Sequence, residues 1–373
     1  MPRLVALDLA GGPSFVTALR RAWDDGDAVA PLDPRLPAGA RQRVLDALSP
    51  AAVVDSSGEH ALSNGRTVEA GDAVVVATSG TTGDPKGVVL THAALTASAE
   101  ATTARIGASV DDHWLACLPL AHVGGLSVVT RALVLGTPLT VLPTADPAAI
   151  TAAARGGATL VSLVATALRR IDAGLFRVVL LGGSRPPADR PANSVATYGM
   201  TETGSGVAYD GRPLDGVEIR IDDLGEIHVR GPMLLRCYRD GTDPKDADGW
   251  FATGDVGSWR DDGRLHVDGR RNELIITGGE NVWPEAVEVV LQRHPAVADV
   301  AVGGRPDDEW GQVVTAYVVP ADRSAPPALA SLRDHVKREL PAFCAPHRLF
   351  VVDAVPRTAL GKIRRSALTA LSP

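Results

Sequence analysis

The chain has 373 residues, 45% hydrophobic and 22% charged, with a formal net charge of −7. That length exceeds one ordinary domain and suits two of unequal size, each with a real core. The acidic balance excludes non-specific nucleic-acid binding and a basic membrane-surface helix, so any anionic ligand must be met by local basic groups and backbone amides.

Arg3 precedes an apolar run that breaks at Asp8, which makes a poor signal peptide. Short apolar, β-rich runs at 28–30, 51–54, 73–77, 139–142, 159–163 and 177–181 predict buried strands. Between them, Ala-rich stretches at 38–48, 93–104, 123–135 and 148–154 predict helices. Strands separated by helices predict a large N-terminal α/β domain with a parallel-rich sheet. After about Asp210 the pattern changes to short alternating strands at 217–221, 226–230 and 264–268, split by Asp223-Leu224-Gly225 and Asp261-Asp262-Gly263 turns. This predicts an antiparallel β section appended to the first domain. A third segment has helices at 284–292 and 328–340 and strands at 297–302 and 313–319, a small α+β unit. The predicted domains are therefore 1–271 and 272–373, with the break at Asn272.

Cys117, Cys237 and Cys344 stand far apart, with no C-x-x-C and no histidine cluster beside them. That excludes the common zinc spacings and a disulfide framework, and it fits a reducing compartment. No uncharged stretch is long enough to span a bilayer. The expected location is the cytoplasm, with no membrane and no nucleic-acid partner, and a homodimer is left open.

One loop carries most of the chemical signal. After the strand at 73–77 comes Thr78-Ser79-Gly80-Thr81-Thr82-Gly83-Asp84-Pro85-Lys86-Gly87, with four hydroxyls, three glycines and one lysine. Glycines let the backbone approach a ligand closely, and turn amides with hydroxyls form an anion nest to which Lys86 adds charge. The chemistry suits a polyphosphate. The string is not G-x-x-x-x-G-K-[ST], because Lys86 follows Pro85 and precedes Gly87, and no G-x-G-x-x-G follows a strand. Taken alone, a Gly/Thr-rich loop is as often a plain surface turn.

The string resembles the phosphate loop of the acyl-adenylate-forming superfamily, whose members include acyl- and aryl-CoA synthetases and carrier-loading adenylation domains. Further motifs follow in that family's order. Tyr198-Gly199-Met200-Thr201-Glu202-Thr203 is similar to its second signature and Thr253-Gly254-Asp255 to its third. Gly269-Arg270 and Ile276-Thr277-Gly278-Gly279-Glu280-Asn281 resemble the interdomain hinge and the loop after it. Pro356-Arg357-Thr358-Ala359-Leu360-Gly361-Lys362 resembles the C-terminal lysine motif.

The resemblance implies a ligase that uses ATP, Mg2+ and coenzyme A, and a mobile C-terminal domain. It assigns ATP or AMP contacts to Thr78, Ser79, Gly80, Thr81, Thr82, Gly83, Lys86, Tyr198, Gly199, Met200, Thr201, Asp255 and Arg270. Gly182 and Gly183 are assigned to the adenine, and Glu202 with Thr82 to magnesium. Lys362 is the implied catalytic cation of adenylation, with Thr201 and Glu202 beside it. Asn272 is the implied hinge, where relatives usually carry Asp or Lys, and Gly278 and Gly279 line the implied pantetheine path. In the segment Cys117-Leu118-Pro119-Leu120-Ala121-His122-Val123-Gly124-Gly125-Leu126, His122 and Gly125 fall at the implied acid pocket.

Arg131 lies inside an apolar helix pattern, where a charge must reach solvent or find an anion. This segment, and the short stretch before Thr78, resemble o-succinylbenzoate–CoA ligases of menaquinone biosynthesis, whose acid carries a second carboxylate. The expected small-molecule substrate is that acid. Alternatives are another small aryl- or acyl-CoA synthetase, a stand-alone enzyme that loads a carrier protein, and a non-catalytic nucleotide-binding relative.

Overall fold

Short apolar strands alternating with helices build the protein in a computed structural model, which describes residues 1–79, 85–183, 186–187, 189–358 and 362–371. Contacts divide the chain into two units, Met1–Ile219 with Val229–Ala252, and Arg220–His228 with Thr253–Pro373. The sequence placed the break at Asn272, whereas the contact division puts Asn272 inside the second unit. Packing across it accounts for the difference: the Trp283 ring lies so close to Gly269 that a Cβ there would come within 2.9 Å of it.

In the first unit, the described strands form two seven-stranded sheets. In one, Leu4–Leu7 runs parallel between Ala28–Pro31 and Ala52–Asp55, and Ala28–Pro31 runs parallel to Asp72–Ser79. The direction then reverses, because Asp72–Ser79 and Pro85–Thr91 form an antiparallel hairpin on which Cys237–Tyr238 adds a further antiparallel edge. In the other sheet, Trp114–Ala116, Leu160–Leu163, Val178–Leu181 and Ser194–Gly199 run parallel side by side. Gly206–Tyr209 closes that series antiparallel. The inner parallel strands, such as Leu4–Leu7 and Val178–Leu181, are apolar, as burial on both faces requires. Leu115, Val161, Val179 and Leu181 are buried with Ile150 and Phe176 in one cluster.

Helix boundaries follow local chemistry. His92–Ile106 starts where the Thr91 hydroxyl accepts the Ala94 N–H at 3.1 Å, and it ends at Gly107 in the left-handed region. Val123–Leu135 is buried from Gly125 through Ala132, which explains its nearly all-apolar sequence. The sequence pattern passes over the helix Pro13–Asp24, which has no side-chain cap to announce it. No helix among the described residues is long and apolar enough to cross a membrane.

The second unit is organised around the long hairpin of Val297–Asp307 and Gly311–Pro320, with Arg348–Val351 parallel beside it. Helices Pro284–Leu291 and Leu329–Lys337 contribute Val287, Val290, Leu291, Leu332 and Val336 to its core. At the end of the first helix, His294 bonds the Ser331 hydroxyl at 3.0 Å, and its ring centroid lies 5.1 Å from that of His335. Burial, followed by the nearby His335 and Arg338 charges, lowers the His294 pKa from the usual 6.5. A histidine held neutral in the fold binds fewer protons than in the unfolded chain. Its contribution is therefore complete above pH 6.5 and is lost as pH falls below that value. Urea unfolding from pH 7.5 to 5 should show a loss of stability that His294→Gln reduces, the remainder coming from His92 and His347, whose pKa values burial lowers in the same sense. An unchanged slope in the variant would remove His294 from this account.

Candidate active site

The Gly/Thr-rich segment falls between the two strands of the Asp72–Thr91 hairpin. Thr78 pairs with Lys86 across the hairpin, and the Thr78 hydroxyl donates to the Lys86 carbonyl at 3.4 Å. Gly80, Thr81, Thr82 and Gly83, together with the Ser79 side chain, lie outside the described residues. Lys86 is exposed, with its ammonium 5.4 Å from the centroid of the Tyr238 ring. Gly87, at the inner end of the loop, has no room for a side chain: a Cβ would lie 2.5 Å from Leu48 Cδ2 and 2.8 Å from Arg239 Cβ.

The second motif sits at the carboxyl end of the parallel strand Ser194–Gly199, where open α/β sheets hold their ligands. Its neighbour Val178–Leu181 ends in Gly182 and Gly183, and the Thr197 hydroxyl ties the two by donating to the Leu181 carbonyl at 3.0 Å. Tyr198 and Gly199 close the strand, and Thr201–Thr203 forms a tight turn ended by Gly204 with φ near +66°. The Met200 N–H donates to the Thr203 hydroxyl at 2.9 Å, and that hydroxyl donates to the Ser205 carbonyl at 2.6 Å. The turn therefore holds Glu202 on a fixed backbone. Glu202 Oε1 accepts from the Tyr238 hydroxyl at 3.2 Å. Among the described residues no group of three or more His, Cys, Asp or Glu side chains could hold a metal. A single carboxylate here suits a magnesium ion held otherwise by phosphate oxygens and water.

The segment 117–126 follows the strand Trp114–Ala116. His122 is the residue before the helix Val123–Leu135, and its carbonyl accepts the Gly125 and Leu126 N–H groups at 3.0 and 2.9 Å. Its charge also helps to lower the pKa of buried Asp33, after the Arg35 hydrogen bond. Gly125 serves packing, because a Cβ there would lie 2.4 Å from the Leu118 carbonyl oxygen. Arg131 is only 2% exposed. Its guanidinium lies over the Trp114 ring at 4.8 Å and donates through Nη2 to the Ser205 hydroxyl at 3.3 Å. Nε and Nη1 are buried with no hydrogen-bond partner among the described residues. Burial lowers the pKa of Arg131, and the nearby Tyr209 opposes that shift without overcoming it.

The remaining residues lie in the second unit. Asp255 and Arg270 face each other across antiparallel strands and form an ion pair at 2.8 Å, and Arg270 Nη1 donates to the Thr253 carbonyl at 3.0 Å. Asp255 is 6% exposed. The sequence assigned this pair to the N-terminal domain, whereas their contacts group them with Lys362. Lys362 is exposed as a residue, but atoms crowded around its amine strip water from the charged form and Arg270 repels it. Asp255, Glu285 and Glu273 attract it, yet its pKa falls below the usual lysine value. Its backbone closes on Thr358, whose N–H donates to the Lys362 carbonyl at 2.7 Å. Asn272 sits in the short turn Arg271–Glu273. Gly278 and Gly279, with φ near +57° and +84°, form the two-residue turn between Ile275–Thr277 and Glu280–Val282.

A fold and site of this form define an adenylate-forming enzyme. The chain belongs to the AMP-binding enzyme family, whose model matches residues 59–239, with the AMP-binding enzyme C-terminal domain matching 286–362. Within that family it is 41% identical, over 92% of its length and 95% of the relative's, to a probable 2-succinylbenzoate–CoA ligase of Mycobacterium tuberculosis (strain ATCC 25618 / H37Rv). It is 38% identical, over 81% of its length and 69% of the relative's, to the 2-succinylbenzoate–CoA ligase of Geobacillus kaustophilus. Among solved structures it is similar to o-succinylbenzoate CoA synthetase of Bacillus subtilis in complex with the acyl-adenylate intermediate. That match has a TM-score of 0.88 and 29% identity, and it covers 98% of this chain and 88% of that one.

Three residues escaped the sequence reading: Trp114, Ser205 and Tyr238. Each reaches its partner across a long sequence separation, and only Ser205, directly after the second motif, carried a positional hint. The motif glycine itself is open to test. A Cβ on Gly199 would lie 2.1 Å from the Ser205 carbonyl oxygen, inside backbone that cannot yield cheaply. Gly199→Ala should destabilise the first unit by about 1–3 kcal/mol and weaken ATP binding, read by urea unfolding and calorimetry. A variant with wild-type stability and affinity would show that the turn is not fixed at this point.

Proposed function

We propose that the protein joins o-succinylbenzoate to coenzyme A through an acyl-adenylate. In the first half-reaction a carboxylate oxygen attacks the α-phosphorus of ATP and pyrophosphate leaves. In the second, the thiolate of coenzyme A attacks the acyl carbonyl and AMP leaves. Two anions must meet in the first step, so catalysis is mainly positioning and neutralisation of charge.

Lys86 and the amides of its loop hold the β- and γ-phosphates, and Thr201 bonds the α-phosphate. Glu202 holds magnesium, which, when bound, screens the charge of the phosphates. Asp255 accepts from the ribose hydroxyls, Arg270 fixes its carboxylate, and Gly182 and Gly183 leave room for the adenine. Lys362 bridges the reacting carboxylate and the α-phosphate as a point charge, which its flexible stem permits. It must then leave so that the thiol can enter past Gly278 and Gly279, and we assign the pivot of that exchange to Asn272. A cytoplasmic location, where all three substrates meet, follows from this reading.

The substrate assignment rests on Arg131. A buried guanidinium with two unpartnered nitrogens is expensive for the fold. A distal carboxylate that displaces the Ser205 hydroxyl supplies the missing charge, and the family relatives that carry this activity support the choice of acid. The competing readings are a small aryl-CoA synthetase without a distal carboxylate, and an enzyme that loads a carrier protein.

Arg131→Met keeps most of the volume and removes the isolated charge. It should raise stability by about 1–2 kcal/mol and raise KM for o-succinylbenzoate at least about 30-fold, with KM for benzoate unchanged where that acid is accepted. Equal effects on both acids would overturn the assignment. Lys362→Ala should abolish ATP–pyrophosphate exchange and leave thioester formation from a supplied acyl-adenylate within about threefold of wild type. Equal loss of both half-reactions would sink the account of a withdrawn lysine.

A further inference from the structure

Lys86 and Glu202 carry opposite charges, and both are assigned to the same polyphosphate. Left in direct contact they would form an ion pair, and each would quench what the other needs for its ligand. Tyr238 touches both of them: its hydroxyl donates to Glu202 Oε1 at 3.2 Å, and its ring centroid lies 5.4 Å from Lys86 Nζ.

The backbone around Tyr238 is held to both motifs. Tyr238 pairs with Val88 and Cys237 with Val89 on the strand that follows Lys86, and the Arg239 N–H donates to the Gly87 carbonyl at 2.7 Å. Three residues earlier the Leu235 N–H donates to the Glu202 carbonyl at 2.8 Å. The side chains on either side of Tyr238 are pinned as well. Arg236 binds Asp72 at 2.8 and 2.9 Å, and the Arg239 guanidinium donates to the carbonyls of Leu48, Thr67 and Arg66 at 2.9, 2.7 and 2.6 Å. Lys245 Nζ donates to the carbonyls of Leu235 and Arg236 at 2.8 and 3.0 Å.

We infer that Tyr238 is a positioning residue, a neutral spacer that holds the phosphate-binding lysine and the metal-binding carboxylate apart and aimed at one polyphosphate. The phenol occupies one oxygen of Glu202 and leaves the second to a ligand. The ring face attracts the ammonium of Lys86 without cancelling its charge, as a carboxylate in that place would. The inference rests on the roles proposed above for Lys86 and Glu202.

Two variants divide the functions of the side chain. Tyr238→Phe removes only the hydroxyl. It should raise the magnesium concentration needed to promote ATP binding about 10-fold, while ATP affinity in EDTA stays at the wild-type value. Tyr238→Leu removes the ring as well and should also weaken ATP binding in EDTA about threefold. Both are read by calorimetric titration of ATP into the full-length protein, with urea midpoints used to check that each variant folds. Glu202→Gln is run alongside. If Glu202→Gln shifts the magnesium requirement and Tyr238→Phe does not, the spacer role is overturned. If neither variant shifts it, the assignment of Glu202 itself has failed. An unfolded Tyr238→Leu with an unchanged Tyr238→Phe also counts against the proposal, since it leaves the tyrosine a packing role only.

Discussion

The guanidinium of Arg239 is buried and donates to four backbone carbonyls, while its own N–H closes onto Gly87. Those carbonyls belong to Leu48, Ser49, Arg66 and Thr67, and buried carbonyls need such donors. One side chain thus ties the return strand Cys237–Tyr238 to the first sheet. It also crowds the site of Gly87 so closely that no Cβ fits there. The Lys86 hairpin, the Glu202 turn and Tyr238 all take their places from this seam. A charged residue can hold such a position because each of its three buried nitrogens has a carbonyl acceptor, even though burial and the nearby Arg66 still lower its pKa.

Arg131 presents the opposite arrangement. It too is a buried guanidinium, yet it makes one long hydrogen bond to Ser205 and stacks on Trp114, with two nitrogens unpartnered. The two arginines differ in how far their hydrogen bonds are met, and the proposal that Arg131 receives an anion rests on that difference. The same contrast runs through the second unit. Arg365 is enclosed by Glu273 and Glu288 and anchors the chain just beyond the motif lysine. Lys362 is left with attraction too weak to offset its crowding and the Arg270 charge. An amine held in that state gains most when a phosphate and a carboxylate arrive together.

Much of the secondary structure was legible because it is a local matter. The helices at 38–48 and 123–135 and the strand at 226–230 occupy the spans that apolar spacing and turn residues predict. The strand Ser194–Gly199 was not legible, because Ser, Thr and Gly make up half of it, and Gly206–Tyr209 was not, because four residues are too short to show a period. Trp114–Ala116 was hidden inside a longer apolar run in which periodicity separates nothing. The strand order was equally out of reach. The placing of Cys237–Tyr238 beside Pro85–Thr91 joins segments with no local signal for each other.

By itself the sequence determined the chemistry: which motifs are present, in what order, and hence that a polyphosphate, a carboxylate and a thiol are to be handled. Motif strings can do this because each preserves the local backbone its ligand requires, glycines for close approach and hydroxyls or a lysine for charge. Only the tertiary structure decided which charges stand alone. Whether Arg131 is solvated or buried, whether Lys86 meets Glu202 or is held from it by Tyr238, and whether Asp255 lies with Lys362 are all questions of through-space distance and dielectric. The strength of a charge depends on the atoms that replace its water, and those atoms come from distant parts of the chain.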